Sequence, residues 1–351
     1  PQLIRSGQQE GLSFINPKLV ADAKFSSGGF EAKYGGKMSS VLDITYKQVR
    51  SREFSTSISL LGGSIHYQDI SKNKKFSHVT GIRYKTTKYI LNSLETKGQY
   101  DPRFMDFQTF WTWHINSEWS LNFLANVSDN DFRFHPESGD TNFGSIQKLY
   151  SLNIQFLGQE NDRFFTNTES FSINWHPHKN LNYTFDFSFF NAIESENFDI
   201  IGFYRLNELN KDIGSETAGD SILNLGNGAY MTHARNSLNI IGFTAQHRGY
   251  YKTEKHYLNW GITYKHEDII DKIDEWSLKD SASFSLPVNI DALNLYENVK
   301  SENSILNNRI HAYIQDKINF ETYLFQYELI GGGRINYSTL SDEFLFSPRI
   351  A

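Results

Sequence analysis

The sequence predicts an all-β protein. It reads as an antiparallel transmembrane β-barrel, of which it supplies about eleven complete strands and the start of another at Phe344 to Ala351, roughly half of a 22-stranded barrel. Three observations carry that reading. Apolar and polar residues alternate with period two in segment after segment. Short and long links between those segments alternate as well. The composition is also unlike that of a soluble enzyme, with 39% hydrophobic and 15% aromatic residues and 7 prolines in 351. The mean hydropathy is −0.50, and no apolar run reaches the ~18 residues of a spanning helix. A helical membrane protein is thereby excluded, whereas a barrel, whose strands alternate, is not.

Met105 to Asn116 sets Met105, Phe107, Thr109, Trp111, Trp113 and Ile115 against Asp106, Gln108, Phe110, Thr112, His114 and Asn116, a strand with one apolar side. Trp119 to Ser128 repeats the pattern through Trp119, Leu121, Phe123, Ala125 and Val127, and the short link at Asn116 to Glu118 makes the two a hairpin. Leu181, Tyr183, Phe185, Phe187 and Phe189 stand opposite Asn182, Thr184, Asp186 and Ser188, following Phe171, Ile173 and Trp175 across a turn at His176 to Asn180. Leu258, Trp260, Ile262 and Tyr264 make a fourth such face, and Tyr323, Phe325, Tyr327 and Leu329 a fifth. The opposing residues are Asn, Ser, Thr, Asp and His, which suits a wet lumen better than a second apolar layer. Trp111, Trp113, Trp119, Trp175 and Tyr183 gather near the short turns, as in an aromatic girdle at a lipid–water boundary.

Short turns are expected near Ser71 to Lys75, Asn116 to Glu118, His176 to Asn180, Thr253 to Lys255 and Glu321 to Thr322, with long polar loops over 91–104, 129–164, 197–230 and 270–306. Tight turns on one rim and larger loops on the other are what a membrane barrel requires.

Ahead of these strands lies Phe25-Ser-Ser-Gly-Gly-Phe30-Glu-Ala-Lys-Tyr34-Gly-Gly-Lys-Met-Ser-Ser-Val-Leu-Asp43-Ile-Thr-Tyr46. Gly28, Gly29, Gly35 and Gly36 allow two sharp turns within about ten residues. Phe30 and Tyr34 offer apolar anchors between them, and Val41 and Ile44 among Ser39, Asp43 and Thr45 read as a strand of mixed polarity. This segment closely resembles the end of the plug domain of TonB-dependent outer-membrane receptors. There a Gly-Gly-Phe-x-Ala-x-Tyr-Gly-Gly segment leads into a strand of the Ser-Ser-Val-Leu-Asp-Ile kind. Leu152 to Phe165 and Glu196 to Glu208 are similar to barrel and loop segments of the large receptors, and Ser347 to Ala351 resembles the start of a barrel strand. Lys37 stands where arginine is common.

The resemblance implies the C-terminal part of a plug domain over 1–47 and the N-terminal part of the barrel over 48–351. The plug signature would be Gly28, Gly29, Phe30, Tyr34, Gly35, Gly36 and Asp43. It implies a receptor of the cell outer membrane that performs TonB-dependent active uptake of a nutrient: a glycan, a peptide, a siderophore or another metal chelate. The ligand binds at outer loops and plug, and energised plug rearrangement lets it pass; no bond of the ligand is made or broken, so no enzyme activity and no cofactor are expected. The implied partners are the TonB complex of the inner membrane, outer-membrane lipid and the extracellular ligand, with a surface lipoprotein left open. A removable plug should be held by exchangeable polar bonds, so Glu31, Lys33 and Lys37, with Asp43, are expected to contact the barrel wall. The sequence contains no TonB box, signal peptide or initiator Met, and the N-terminus is expected to have been lost or omitted. The alternative is a non-transporting outer-membrane barrel, a structural or adhesive subunit of a larger assembly; a third reading is a secreted soluble all-β binding protein.

Other chemistries find less support. A net charge of −6 and a pI near 6.0 do not point to nucleic acid, and 0 cysteines exclude disulfides and thiolate metal sites. His176 and His178 form a His-x-His pair, but Pro177 places them in a turn without an evident third ligand. Glu194, Glu196 and Asp199 read as a solvated loop base, with calcium as the alternative. No Gly-x-Ser-x-Gly pattern occurs. Gly331 to Gly333 lies inside a strand and lacks the following Lys-Ser/Thr, so it is expected to make a bulge or bend rather than a phosphate loop. Trp276, Tyr204 and Asp199 in the expected outer loops suit glycans, peptides and metal chelates alike.

Overall fold

The computed structural model describes residues 15–28, 30–36, 39–92, 98–145, 147–280, 294–321 and 325–350. A 3-10 turn at Pro17–Leu19 leads into β1 (Val20–Ser27), which pairs antiparallel with β2 (Ser40–Tyr46) as a separate two-stranded sheet. Residues 47–52 join this hairpin to the large sheet, which starts with β3 (Glu53–Ser59), β4 (Gly62–Ile70) and β5 (Phe76–Thr86). A four-residue helix α1 (Lys88–Leu91) precedes β6 (Gly98–His114), β7 (Trp119–Pro136), the short β8 (Gly139–Ser145) and β9 (Lys148–His178). Then come β10 (Leu181–Leu209), β11 (Ser221–Lys252), β12 (His256–Asp280), β13 (Asn294–Glu321), β14 (Gln326–Ser338) and β15 (Glu343–Ile350). The large sheet has thirteen antiparallel strands in sequence order, with β8 alone off the main path, paired to β9.

One parity runs through the whole sheet. The cross-strand row Trp113, Leu121, Ile173, Phe185, His247, Ile262, Ala312 and Ile335 spans β6 to β14 on one face. One residue along, Thr112, Asn122, Ser172, Asp186, Gln246, Thr263, His311 and Asn336 form an entirely polar row on the other. From β6 to β14 the three apolar-face rows through Tyr183, Phe185 and Phe187 contain no Asp, Glu, Lys or Arg. On β10 the apolar face runs from Leu181 to Phe189 before Asn191 and Ser195 interrupt it. That is nine residues, within the 9–11 of a bilayer-crossing strand. Phe185, Phe187, Phe243, Ile262 and Ile314 on this face are exposed. Along the tight-turn rim, Trp119 stacks on Trp175 at 5.4 Å, Trp175 on Tyr183 at 5.3 Å, and Tyr183 meets Trp260 edge-on at 6.1 Å.

The links follow the expected alternation on one rim. Residues 71–75, 115–118, 179–180 and 253–255 join consecutive strands tightly, and Glu321 pairs with Gln326 across a turn whose residues 322–324 lie outside those described. The long loops expected on the other rim are mostly strand. β9, β10 and β11 run for 31, 29 and 32 residues, so 148–164, 197–209 and 221–230 are paired ladder, and only 210–220 remain as the β10–β11 turn. The reason is that beyond the apolar band both faces mix polar and apolar residues, as Phe198, Ile200 and Tyr204 on one face of β10 and Ile201, Phe203 and Arg205 on the other, so the period-two signal disappears although each backbone still has a neighbour to bond. Gly331 to Gly333 form no bulge either: each is paired in unbroken register with β13 and β15.

Trp175 is the centre of the stacked aromatic row, so Trp175→Ala should remove two ring pairs, about 1–3 kcal/mol in all. We expect a lowered midpoint of thermal unfolding by circular dichroism, largely restored by Trp175→Phe.

Candidate functional site

The hairpin β1–β2 and its flanking segments lie on the polar face of the large sheet, and the bonds between them fall in two groups. The first surrounds residues 15–19 and 46–49. Asn16 is fully buried; its main-chain N–H donates to Gln108 Oε1 at 3.1 Å, and its side-chain amide pairs with His66 Nε2 at 3.1 Å. Gln108 Nε2 donates to the Tyr46 hydroxyl at 3.1 Å. Beneath them Arg83 Nε donates to Asp106 at 2.9 Å and Arg83 Nη1 to the Ile15 carbonyl at 3.2 Å. This ion pair is almost wholly buried, a geometry in which removing one partner leaves an uncompensated charge and costs about 3–5 kcal/mol. Leu19, Val49 and Val79 form an apolar cluster beside it with Ile70, Tyr46 and Phe110, the last two rings stacked at 4.9 Å. Burial pushes the Tyr46 hydroxyl up to about 12. A Cβ at Gly81 would stand 2.7 Å from Asn16 Nδ2 and 3.0 Å from Leu19 Cδ1, so glycine is what admits the segment.

The second group surrounds residues 30–35. A turn closed by the Tyr34 N–H on the Glu31 carbonyl, 3.0 Å, presents its backbone to β13, β14 and β15. The Lys33 N–H donates to Gln315 Oε1 at 2.9 Å, and Gln315 Nε2 donates to Glu31 Oε2 at 2.7 Å. Arg334 Nη1 donates to the carbonyls of Ala32 and Lys33 at 3.3 and 3.4 Å, and Arg349 Nη1 to that of Phe30 at 3.0 Å. Arg334 is buried, and its hydrogen bonds go to carbonyl oxygens and, through Nε, to Asn336; among the described residues it forms no ion pair. Any side chain at Gly35 would fall inside the Arg334 guanidinium, and a Cβ at Gly332 would lie 3.0 Å from that of Ala32. The glycine run in β14 thus serves the close approach of a second backbone, where a bulge was expected.

Of the residues singled out from the sequence, Glu31 reaches the sheet through its side chain, and Lys33 through its main-chain N–H. The Lys33 ammonium turns back to Glu31 at 2.9 Å and lies 4.8 Å over the Tyr34 ring. Asp43 stays within the hairpin unit, accepting from the Tyr34 hydroxyl at 2.8 Å. Gly28 and Gly36 have φ of +77° and +65° and need glycine for their backbone; Gly35 needs it for packing. Phe30 is half-buried. Gly29 and Lys37 lie outside the described residues. Asn16, Gln108, Gln315, Arg334 and Arg349 carry much of the interface, and no local pattern distinguishes them from other polar residues.

The acidic trio is divided by parity. Glu194 and Glu196 lie on the polar face, where the ligating atoms of Glu196, Glu160 and Asp162 are within 4.8 Å of one another and the Asn236 amide donates to Glu196 at 3.2 Å and to Glu275 at 2.5 Å. Asp199 lies on the opposite face, bonded to His233 at 2.6 Å and to Arg235. None of the three is in a loop. His176 and His178 end β9 and join no cluster of ligating side chains among the described residues. A cavity of about 320 Å³ on the polar face is lined by Ser170, Ser172, Ser188, Thr244 and the Arg248–Asp186 pair. No protein-family profile, curated protein or solved structure matches the chain.

Gly35→Val should unseat residues 30–36 by displacing the Arg334 guanidinium. Adding Arg334→Ala should recover part of the loss, a coupling of about 1–3 kcal/mol in a double-mutant cycle read by protease protection of this segment. Acid should act through Glu31. Burial raises its carboxyl, but the Gln315 amide and the Lys33 ammonium outweigh that and hold it below the usual 4.5. Its contribution is therefore complete above 4.5 and lost as pH falls through the lowered value. We expect hydrogen-exchange protection of the Lys33 amide to decline over that interval, and Glu31→Gln to abolish the decline.

Proposed function

We propose that the chain is the plug end and the first half of the barrel of a TonB-dependent outer-membrane receptor that imports a nutrient ligand. The observation that carries the proposal is the arrangement of two sheets. A glycine-flanked hairpin, residues 20–46, is seated by polar bonds on one face of a large antiparallel sheet whose other face carries an exposed apolar band, nine residues long on β10, with an aromatic rim. A soluble protein would have to cover that band, since exposed apolar patches beyond a few hundred Å² mark interaction or membrane surfaces. The hairpin itself leaves Phe25 and Leu42, directly opposed, 65% and 52% exposed, a surface that the rest of a plug would cover. In lipid, the open edges at β3 and β15 would leave backbone groups unpaired at several kcal/mol each. This favours further strands completing a barrel of about 22. Glycan, peptide, siderophore and other metal chelates all remain within the ligand class, bound at outer loops and plug and released by energised plug rearrangement.

The test is to recover the complete reading frame, express it with its signal sequence and examine the outer membrane for a heat-modifiable, detergent-extracted species. Phe185→Arg, in the middle of the apolar band, should cost about 2–4 kcal/mol of folding in bilayers, and Ser188→Arg, facing the polar side, far less. A TonB box in the full frame together with uptake supports transport, and a folded barrel without either supports the scaffolding alternative. A monomer soluble without detergent overturns both.

A further inference from the structure

The far ends of β8 to β11 form a second concave surface, remote from the hairpin. A cleft of about 750 Å³ opens there, within the ~300–1,000 Å³ of small-molecule sites. Register makes its wall from cross-strand neighbours. Asp140, Asn153, Arg205 and Asn227 stand in one row across four strands, with Asn207 and Phe203 flanking Arg205 on the same face of β10. Phe203 is fourteen residues beyond Phe189 on that face, ~45 Å along the strand.

The wall is organised before any ligand arrives. The Asn153 amide donates to Asp140, and the Asn224 amide donates to both Asn207 and Asn227 at 3.0 Å. The adjoining turn is stapled by the Asn210 amide on Ser215 and Thr217 at 3.0 and 2.9 Å, and by the Lys211 ammonium on the Gln147 carbonyl at 2.8 Å. Side chains already held by such bonds lose little entropy on binding.

Chemistry narrows the occupant. A single carboxylate is too few for a hard cation, which takes six or more oxygen ligands. One guanidinium balanced by one carboxylate does not select a polyanion. The surface is poor in the apolar anchors that carry protein–protein contacts. What remains is a lattice of amides, each offering a donor and an acceptor side by side, spaced by the ~4.8 Å of adjacent strands. Phe203, 44% exposed, adds an apolar ring at its edge. Donor–acceptor pairs beside one exposed ring match a pyranose, with hydroxyls around its rim and C–H groups on its faces. We infer that this cleft binds a neutral oligosaccharide. The site stands independently of the transport reading, because nothing in its geometry involves the hairpin or the apolar band.

The test uses the full-length chain in a detergent without a sugar headgroup. It is applied to an array of neutral and acidic oligosaccharides, with lipid-free O-polysaccharide as a separate arm, followed by titration calorimetry. We expect at least one neutral glycan to bind, and Asn153→Ala with Arg205→Ala to weaken it tenfold or more, while Ser188→Ala on the opposite face leaves it unchanged. Asn207→Asp, which keeps the side-chain shape, should weaken binding too and answers for the double variant if that misfolds. Binding of O-polysaccharide alone supports the site and places its ligand on the cell's own surface. Absence of binding above background by both the neutral glycans and the O-polysaccharide, capture of acidic glycans only, or binding indifferent to these substitutions overturns it.

Discussion

A side chain on a β-strand can face only two ways, so a ladder that stays in register from β3 to β15 assigns every residue along it to one of two environments. The row through Phe185 and the row through Asp186 lie one residue apart and differ completely in chemistry. A slip by one residue at any strand would carry Trp and Phe to the polar side and Asp, Asn and Ser to the apolar side for every strand beyond it. The irregularities that do occur are local. One lies between Leu181 and Tyr183, at the β9–β10 turn where the apolar face begins; those between Leu206 and Asn207, Glu208 and Leu209, and Ser277 and Leu278 fall at the far ends of β10 and β12, beyond the apolar band, where a lost register has little to misplace.

The hairpin depends on the same parity, because the groups that seat it must all emerge on one side. His66, Arg83, Asp106 and Gln108 near one edge, and Gln315, Arg334 and Arg349 near the other, do so. The two anchorages differ in kind. At residues 15–19 and 46–49 an apolar cluster and a buried Arg–Asp pair are shielded from water, and breaking them exposes both a core and a charge. At residues 30–35 the contacts are hydrogen bonds from two guanidiniums to backbone carbonyls and from the Gln315 amide to the Glu31 carboxylate, with the Lys33 N–H donating to Gln315, each worth about 1.5–3 kcal/mol at most where a charge is involved. Such bonds exchange readily for water. Glycines at 35, 81 and 332 let the backbones approach closely enough for either set to form.

Alternation made the strands legible where only one face is apolar. Met105 to His114, Trp119 to Ser128 and Leu181 to Phe189 are paired as their sequence pattern indicates, and the tight turns at 71–75, 115–118 and 253–255 fall at composition breaks. The pattern fails beyond the apolar band: Asn197 to Leu209 has polar residues on both faces and reads as loop, although it is ladder throughout. The site was less legible than the fold. The glycines and Glu31 stand out in a short window, but Arg334 meets the Ala32 carbonyl across 302 residues of chain, and no local signal marks one arginine on a strand as the one that does so. Gly331 to Gly333 was visible as an anomaly, but the backbone that needed the space was not.

The polar extensions are stable for a reason unlike that of the band. β10 is paired on both sides over nearly its whole length, to β9 from Leu181 to Leu209 and to β11 over the same span, so its backbone donors and acceptors are satisfied by neighbours whatever the side chains are. Within the band, position on the apolar or the polar face dictates residue type; beyond it neither face is so constrained. Side chains there can be chosen for contacts with something other than the sheet. The concentration of Asn, Ser, Asp and Arg on one face of β8 to β11, bonded to one another yet open to solvent, is what such freedom permits, and the ladder beneath holds those groups at fixed spacing.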